Sequence, residues 1–116
     1  MTEPKPTVSF EQFAKLDIRI AKVLEVRDHP NADKLICMTI DLGGQQRQII
    51  AALKGHYAPE ELLGRQICVV TNLQPRKMRG LESQGMLLAA TTGEGENMNV
   101  VILSPERDVP PGSAVS

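Results

Sequence analysis

The sequence predicts a mainly-β chain: a five-stranded, partly open Greek-key barrel, with one short helix between strands three and four and an extension after the barrel. Three observations carry that expectation. Short segments of alternating apolar and polar residues recur from Leu16 onward, separated by turns rich in Gly, Pro, Asn and Asp. A Pro-led acidic segment ending in Gly, residues 59–64, interrupts them after the third. The first alternating segment is long and breaks its own alternation, as a strand does when it curves around a small barrel.

Before the barrel, Ser9 followed by Gln12 fits a capping box and predicts a short helix through Phe10, Phe13 and Ala14, with both phenylalanines buried. Residues 16–26 form the first strand. Leu16, Ile18, Ile20, Leu24 and Val26 share one face, and Lys22 interrupts it, which predicts a bulge. The turn His29-Pro30-Asn31-Ala32-Asp33 leads to a second strand over 35–42 and a tight Gly43-Gly44 turn. A third strand spans 47–53. Beyond the helix at 59–64, a fourth strand spans 66–71, a fifth 85–91, and a further strand of the extension 99–103. Five strands with a helix after the third are the arrangement of an OB-fold barrel. The whole of residues 1–116 is expected to form a single domain, with 1–8 as a flexible tail.

With 116 residues of which 41% are hydrophobic, the chain can fill one modest core. No apolar run approaches the ~20 residues of a membrane span, and the polar lead Met1-Thr2-Glu3-Pro4-Lys5-Pro6 does not resemble a secretory signal. A cytoplasmic protein is expected. Cys37 and Cys68 each lie in an apolar run with no second ligand at metal spacing, and read as reduced core residues. The two histidines, His29 and His56, stand in no catalytic or metal-binding spacing, and neither a nucleophile elbow nor a phosphate-cradling glycine motif occurs. The sequence therefore predicts a binding module, with no enzymatic activity, cofactor or metal.

Net charge is −1, yet residues 15–80 hold 11 Lys and Arg against 7 Asp and Glu, while residues 81–116 hold 1 against 5. Such asymmetry lets a near-neutral chain carry a basic face. The focus is Asn72-Leu73-Gln74-Pro75-Arg76-Lys77-Met78-Arg79-Gly80-Leu81-Glu82-Ser83-Gln84-Gly85-Met86, where Arg76, Lys77 and Arg79 crowd between Pro75 and Gly80 and no acid occurs between Glu61 and Glu82. Read as a loop, it gathers cations whose mutual repulsion a nucleic-acid backbone would relieve; a solvated surface turn has the same composition. Ser83 and the amides around Gly85 can bond phosphate or ribose, or simply close a turn. With only Phe10, Phe13 and Tyr57 as aromatics, base stacking cannot be the main source of affinity. A folded RNA, read through backbone and 2′-hydroxyls by this segment with Lys34, fits better.

Four ordered blocks give the chain a recognisable pattern: Phe13-Ala14-Lys15-Leu16-Asp17-Ile18-Arg19, His29-Pro30-Asn31-Ala32-Asp33-Lys34-Leu35, Asn72 to Gly80 as written above, and Ser83-Gln84-Gly85-Met86-Leu87-Leu88-Ala89-Ala90. Over residues 10–114 the sequence resembles the transfer-RNA-binding domain found alone in small bacterial proteins and appended to methionyl-tRNA synthetases. The resemblance implies an OB barrel with a C-terminal extension, a symmetric homodimer, and binding to the outer corner of transfer RNA with little sequence preference. Carried onto this chain, it implicates Arg76, Lys77, Arg79, Ser83 and Met86 in RNA binding, with Lys34 as a supplement. The dimer would bury the helix before the barrel and the strand after Asn99. One departure is Gln74, where the family pattern usually carries Lys; the missing cation weakens the expected affinity, and Lys54 and Arg65 are candidates to compensate. Two related readings stay open beside the stand-alone binder. One is a C-terminal domain of a methionyl-tRNA synthetase, serving that aminoacyl-tRNA synthetase as partner; the other is an export-associated chaperone that grips unfolded peptides.

Overall fold

The computed structural model describes residues 3–116, and the first two residues of the expected tail lie outside the described residues. Helix α1 (Phe10–Phe13) starts where expected: the Ser9 hydroxyl accepts from the Gln12 amide, and the Gln12 side chain accepts from the Ser9 amide, both at 3.1 Å. Strands β1 (Ile18–Asp28), β2 (Ile36–Asp41) and β3 (Gln46–Ala51) form an antiparallel meander. Helix α2 (Pro59–Leu62) follows, with Pro59 at its first turn, the Glu61 carboxylate accepting from the Ala58 amide at 2.8 Å, and Leu62 fully buried. Strand β4 (Gln66–Val70) returns to pair with β1. A two-stranded ribbon, β5 (Arg76–Met78) and β6 (Leu81–Ser83), precedes β7 (Met86–Leu87). The extension is a second hairpin, β8 (Ala89–Thr92) and β9 (Asn99–Ile102).

The main sheet runs β3-β2-β1-β4-β7 and curls into a partly open barrel of OB type. Its seam, between β3 and the segment entering β7, is held partly by side chains. The Ile50 amide donates to Ser83 Oγ at 2.9 Å, the Gln48 amide to Gln84 Oε1 at 3.2 Å, and the Gln84 amide to the Gln48 carbonyl at 2.8 Å. Gly85 sits where a side chain would be crowded: a Cβ there would lie 3.2 Å from Val69 Cγ1 and 3.3 Å from Ile49 Cγ2. The close backbone approach that glycine permits is thus made to the core.

The bulge in β1 does more than curve the strand. The β1–β2 register shifts between Val23 and Glu25, and the side of the strand that faces the interior changes with it. Ala21 and Val23 enter the main core with Met38, Ile40, Ile49 and Val69, and beyond the bulge Val26 packs against the same core. Ile18 and Ile20 lie on the other face with Cys68 and Val70, under Leu88 and Val109. The single apolar face expected for residues 16–26 is therefore two faces joined by a one-residue shift. The second face is covered by the C-terminal segment, where the Gly112 and Val115 amides donate to the Ile20 and Ile18 carbonyls at 2.7 and 2.8 Å.

Two further expectations are corrected. The fifth strand divides at Leu88, whose amide bonds to the Cys68 carbonyl while its own carbonyl accepts from Leu103, so the chain leaves β4 there and takes β9 as its partner. Phe10 and Phe13 are not buried within the chain, being 80% and 43% exposed. Cys37 and Cys68 are buried and unpaired, and burial pushes both thiols up, with the Arg27 charge drawing Cys37 part of the way back. Among the described residues no helix is long and apolar enough to cross a membrane.

Candidate nucleic-acid interface

The basic segment expected as a loop is the ribbon β5–β6. Its register is Arg76 with Ser83, Lys77 with Glu82 and Met78 with Leu81, closed by the two-residue turn Arg79-Gly80. Arg79 has φ 55° and Gly80 φ 92°, the left-handed pair of a type I′ hairpin turn. Glycine adopts that conformation freely; arginine does not, and Arg79 is the one non-glycine residue with positive φ among the described residues. The sequence signal for the turn was present in the dipeptide, but Arg stands where Asn or Asp usually announces it.

Strand alternation divides the cations. Arg76 and Met78 face a shallow cleft that they line with Leu73, Ser83, Gly85 and Met86. Lys77 lies on the ribbon's other face, across from Glu82. Arg79, at the tip, shares a second hollow with Ala32, Asp33, Lys34 and Leu35, so the turn after β1 and the ribbon tip meet. Arg76, Lys77, Arg79 and Lys34 are all exposed, and none makes an ion pair among the described residues, where the pairs found are Arg19–Asp17, Lys54–Asp28 and Arg107–Glu106. Asp33 is the acid in the hollow and Glu82 the acid across from Lys77.

The other two candidate residues differ in kind. Met86 is 43% exposed and opens onto the Arg76 cleft. Ser83 is 4% exposed, and its hydroxyl is occupied within the fold, accepting from the Ile50 amide and donating to the Gly85 carbonyl at 3.0 Å. It shapes the seam beneath the ribbon. Of the two cations considered as substitutes for the missing Lys at Gln74, Lys54 is bound to Asp28 at 2.6 Å although its amide reaches the Lys34 carbonyl, and Arg65 lies over the Tyr57 ring and donates to Ser104.

Three residues that support the ribbon carried no signal in the sequence. Gln48 donates through its side chain to the Glu82 carbonyl at 2.9 Å and accepts from Arg27 at 2.7 Å, while Arg27 also donates to Thr39. His29, read only as part of a turn, is buried and reaches the Met78 carbonyl. The contacts of Gln48 with Glu82 and Arg27, and of His29 with Met78, each join segments more than 20 residues apart, which spacing along the chain does not reveal.

A family model described as "Putative tRNA binding domain" matches residues 18–114. The methionine–tRNA ligase of Pyrococcus furiosus is 55% identical over 108 residues, covering 93% of this chain and 14% of the ligase, and that of Thermotoga maritima is 48% identical over 109 residues, covering 94% and 17%. The chain thus spans under a fifth of the curated relatives it matches. Among solved structures, a MetRS-related protein from Pyrococcus horikoshii aligns with a TM-score of 0.85 at 31% identity, covering 97% of this chain and all of that one. The chaperone CsaA from Bacillus anthracis aligns with a TM-score of 0.81 at 33% identity, covering 96% and 100%.

Proposed function

Since the chain belongs to the tRNA-binding domain family, we propose that it binds transfer RNA as a cytoplasmic, non-catalytic module, acting as one domain over residues 1–116 and reading the RNA backbone and shape. The observation that carries this is the set of exposed cations that make no ion pair among the described residues, Lys34, Arg76, Lys77 and Arg79, gathered on one ribbon and the turn beside it. Phosphates placed along the ribbon would release counterions and relieve the repulsion among these side chains. Met86 would add apolar contact with a sugar or base edge at the Arg76 cleft, and Ser83 would act by keeping Gly85 and the seam in place. Titration with mixed transfer RNA, duplex RNA and single-stranded RNA of similar length tests the ligand. Preference for transfer RNA is expected; equal weak binding to all three would contradict it.

The same proposal makes the protein a homodimer. Support comes from apolar surface that the isolated chain leaves open: Phe10 and Phe13 on α1, and Val101 and Leu103 at the end of the extension. A two-fold arrangement would present two ribbons to one RNA and raise the effective concentration of the second. Sedimentation at micromolar concentration should show the dimer, and Phe10→Asp with Phe13→Asp should dissociate it; a stable monomer that still held transfer RNA tightly would contradict this. In a longer protein the same surface would serve an aminoacyl-tRNA synthetase by adding to its grip on the substrate. Peptide binding is a second reading, favoured by an open apolar groove between Ile20, Cys68, Leu103, Pro105, Val109 and Val115. A titration with an unfolded peptide at high salt separates the two, since salt weakens RNA binding and leaves apolar capture in place.

A further inference from the structure

Among the described residues, the hydrogen bond that ties Arg76–Gly80 of the ribbon to the rest of the fold outside β6 comes from one side chain. His29 Nε2 lies 2.8 Å from the Met78 carbonyl oxygen. On the other side of the ring, the Asn31 amide lies 3.0 Å from Nδ1. A backbone amide can only donate, so Nδ1 carries the lone pair, and the ring proton sits on Nε2 and is donated to Met78. The imidazole is neutral, satisfied at both nitrogens, and 5% exposed. The bonds from the Gln48 side chain to the Glu82 carbonyl and from the Ile50 amide to Ser83 Oγ hold β6 alone.

We propose that His29 is a positioning residue for RNA binding: its ring fixes the carbonyl next to the Arg79-Gly80 turn and so holds the ribbon tip beside the turn that carries Lys34. The His29 amide bonds to the Leu35 carbonyl at 3.2 Å, which closes the 29–35 turn on the same residue. One side chain therefore sets the distance between two cations that come from opposite ends of the barrel sequence. Without it, β5 and the tip are free to swing on β6, and Arg79 and Lys34 no longer meet one stretch of backbone at fixed spacing. This inference rests on the RNA-binding reading above.

Two substitutions divide the ring's functions. His29→Asn places an acceptor near the Nδ1 position, which preserves the bond from Asn31 but cannot reach Met78. His29→Gln extends an amide N–H toward Met78 and gives up the acceptor for Asn31. Limited trypsin digestion with mass spectrometry reads cleavage after Arg79, and a transfer RNA titration reads affinity, each beside the melting temperature. In the Asn variant, cleavage after Arg79 should rise on the order of tenfold and RNA affinity should fall several-fold with a shallower salt dependence. The Gln variant should stay within about twofold of wild type in both, whatever its melting temperature. Equal behaviour of the two variants, tracking only their stability, or an Asn variant indistinguishable from wild type, overturns the proposal. If wild type itself shows no preference for transfer RNA, the functional reading fails, and the cleavage ratio of the two variants still decides whether His29 holds the tip.

Discussion

Arg79→Asn should make the protein more stable and a poorer RNA binder at once. The residue occupies the first central position of a type I′ turn at φ 55°, a conformation that costs an ordinary side chain about 1–2 kcal/mol and that Asn adopts at much lower cost. Recovering part of that cost gives about 0.5–1 kcal/mol, or a rise in melting temperature of roughly 2–6 °C for a chain of this size. The same change removes one of the exposed cations that make no ion pair. A charge-assisted contact with phosphate contributes about 1–2 kcal/mol, so the dissociation constant should rise about 5- to 30-fold, and the slope of log K against log salt should fall by roughly 0.7–0.9. Thermal melting and transfer RNA titrations at two salt concentrations measure both. Arg79→Lys is the control, keeping charge and strain and hence most of the affinity without the gain in stability. An Asn variant that melts below wild type would refute the turn assignment, and one that binds RNA as tightly as wild type would remove Arg79 from the interface.

Ser83→Ala leaves the Ile50 amide without its partner in a buried seam and should cost about 1–3 kcal/mol, read as a lower urea midpoint; an unchanged midpoint would mean the barrel closes without that bond. Gly85→Ala places a methyl 3.2 Å from Val69 Cγ1 and 3.3 Å from Ile49 Cγ2 and should destabilise by about 1 kcal/mol in the same assay; an unchanged midpoint would show that these two side chains shift by a few tenths of an ångström to admit it. The buried thiols of Cys37 and Cys68 have raised pKa values, so their contribution to stability is complete below the ordinary thiol value of about 8.5 and is lost as pH rises beyond it. Both should react with a thiol reagent far more slowly in the folded protein than in urea at the same pH; equal rates would show that the thiols are accessible.

The elements read from local chemistry were legible in the sequence. The Ser9 capping box, the Gly43-Gly44 turn and the Pro-led helix all depend on residues within a few positions of one another, and each appears where expected. Strand boundaries of the meander and of β4 fell within two residues of expectation for the same reason. The phase of β1 was harder, because a bulge between Val23 and Glu25 exchanges faces without altering composition. The ribbon was hidden by its composition: cations occupy positions where strand and turn preferences ask for β-branched residues and Asn, and such a run reads as a loop. For Ser83 the local sequence left a backbone contact and the close of a turn equally open, because the bond that decides its place, from the Ile50 amide, spans 33 positions. Phe10 and Phe13 were expected to be buried on the usual behaviour of aromatics; their exposure moves that expectation from the chain to its proposed dimer.

The most direct test of the account compares the salt dependence of transfer RNA binding in wild type and in a variant with Lys34, Arg76, Lys77 and Arg79 all changed to Gln. Four phosphate contacts predict a slope of log K against log salt of about −3 per engaged protomer for wild type, falling close to zero in the variant while its melting temperature holds or rises. A variant that kept the wild-type slope and affinity would place the RNA elsewhere on the molecule and contradict the claim that this ribbon and its neighbouring turn are the binding surface.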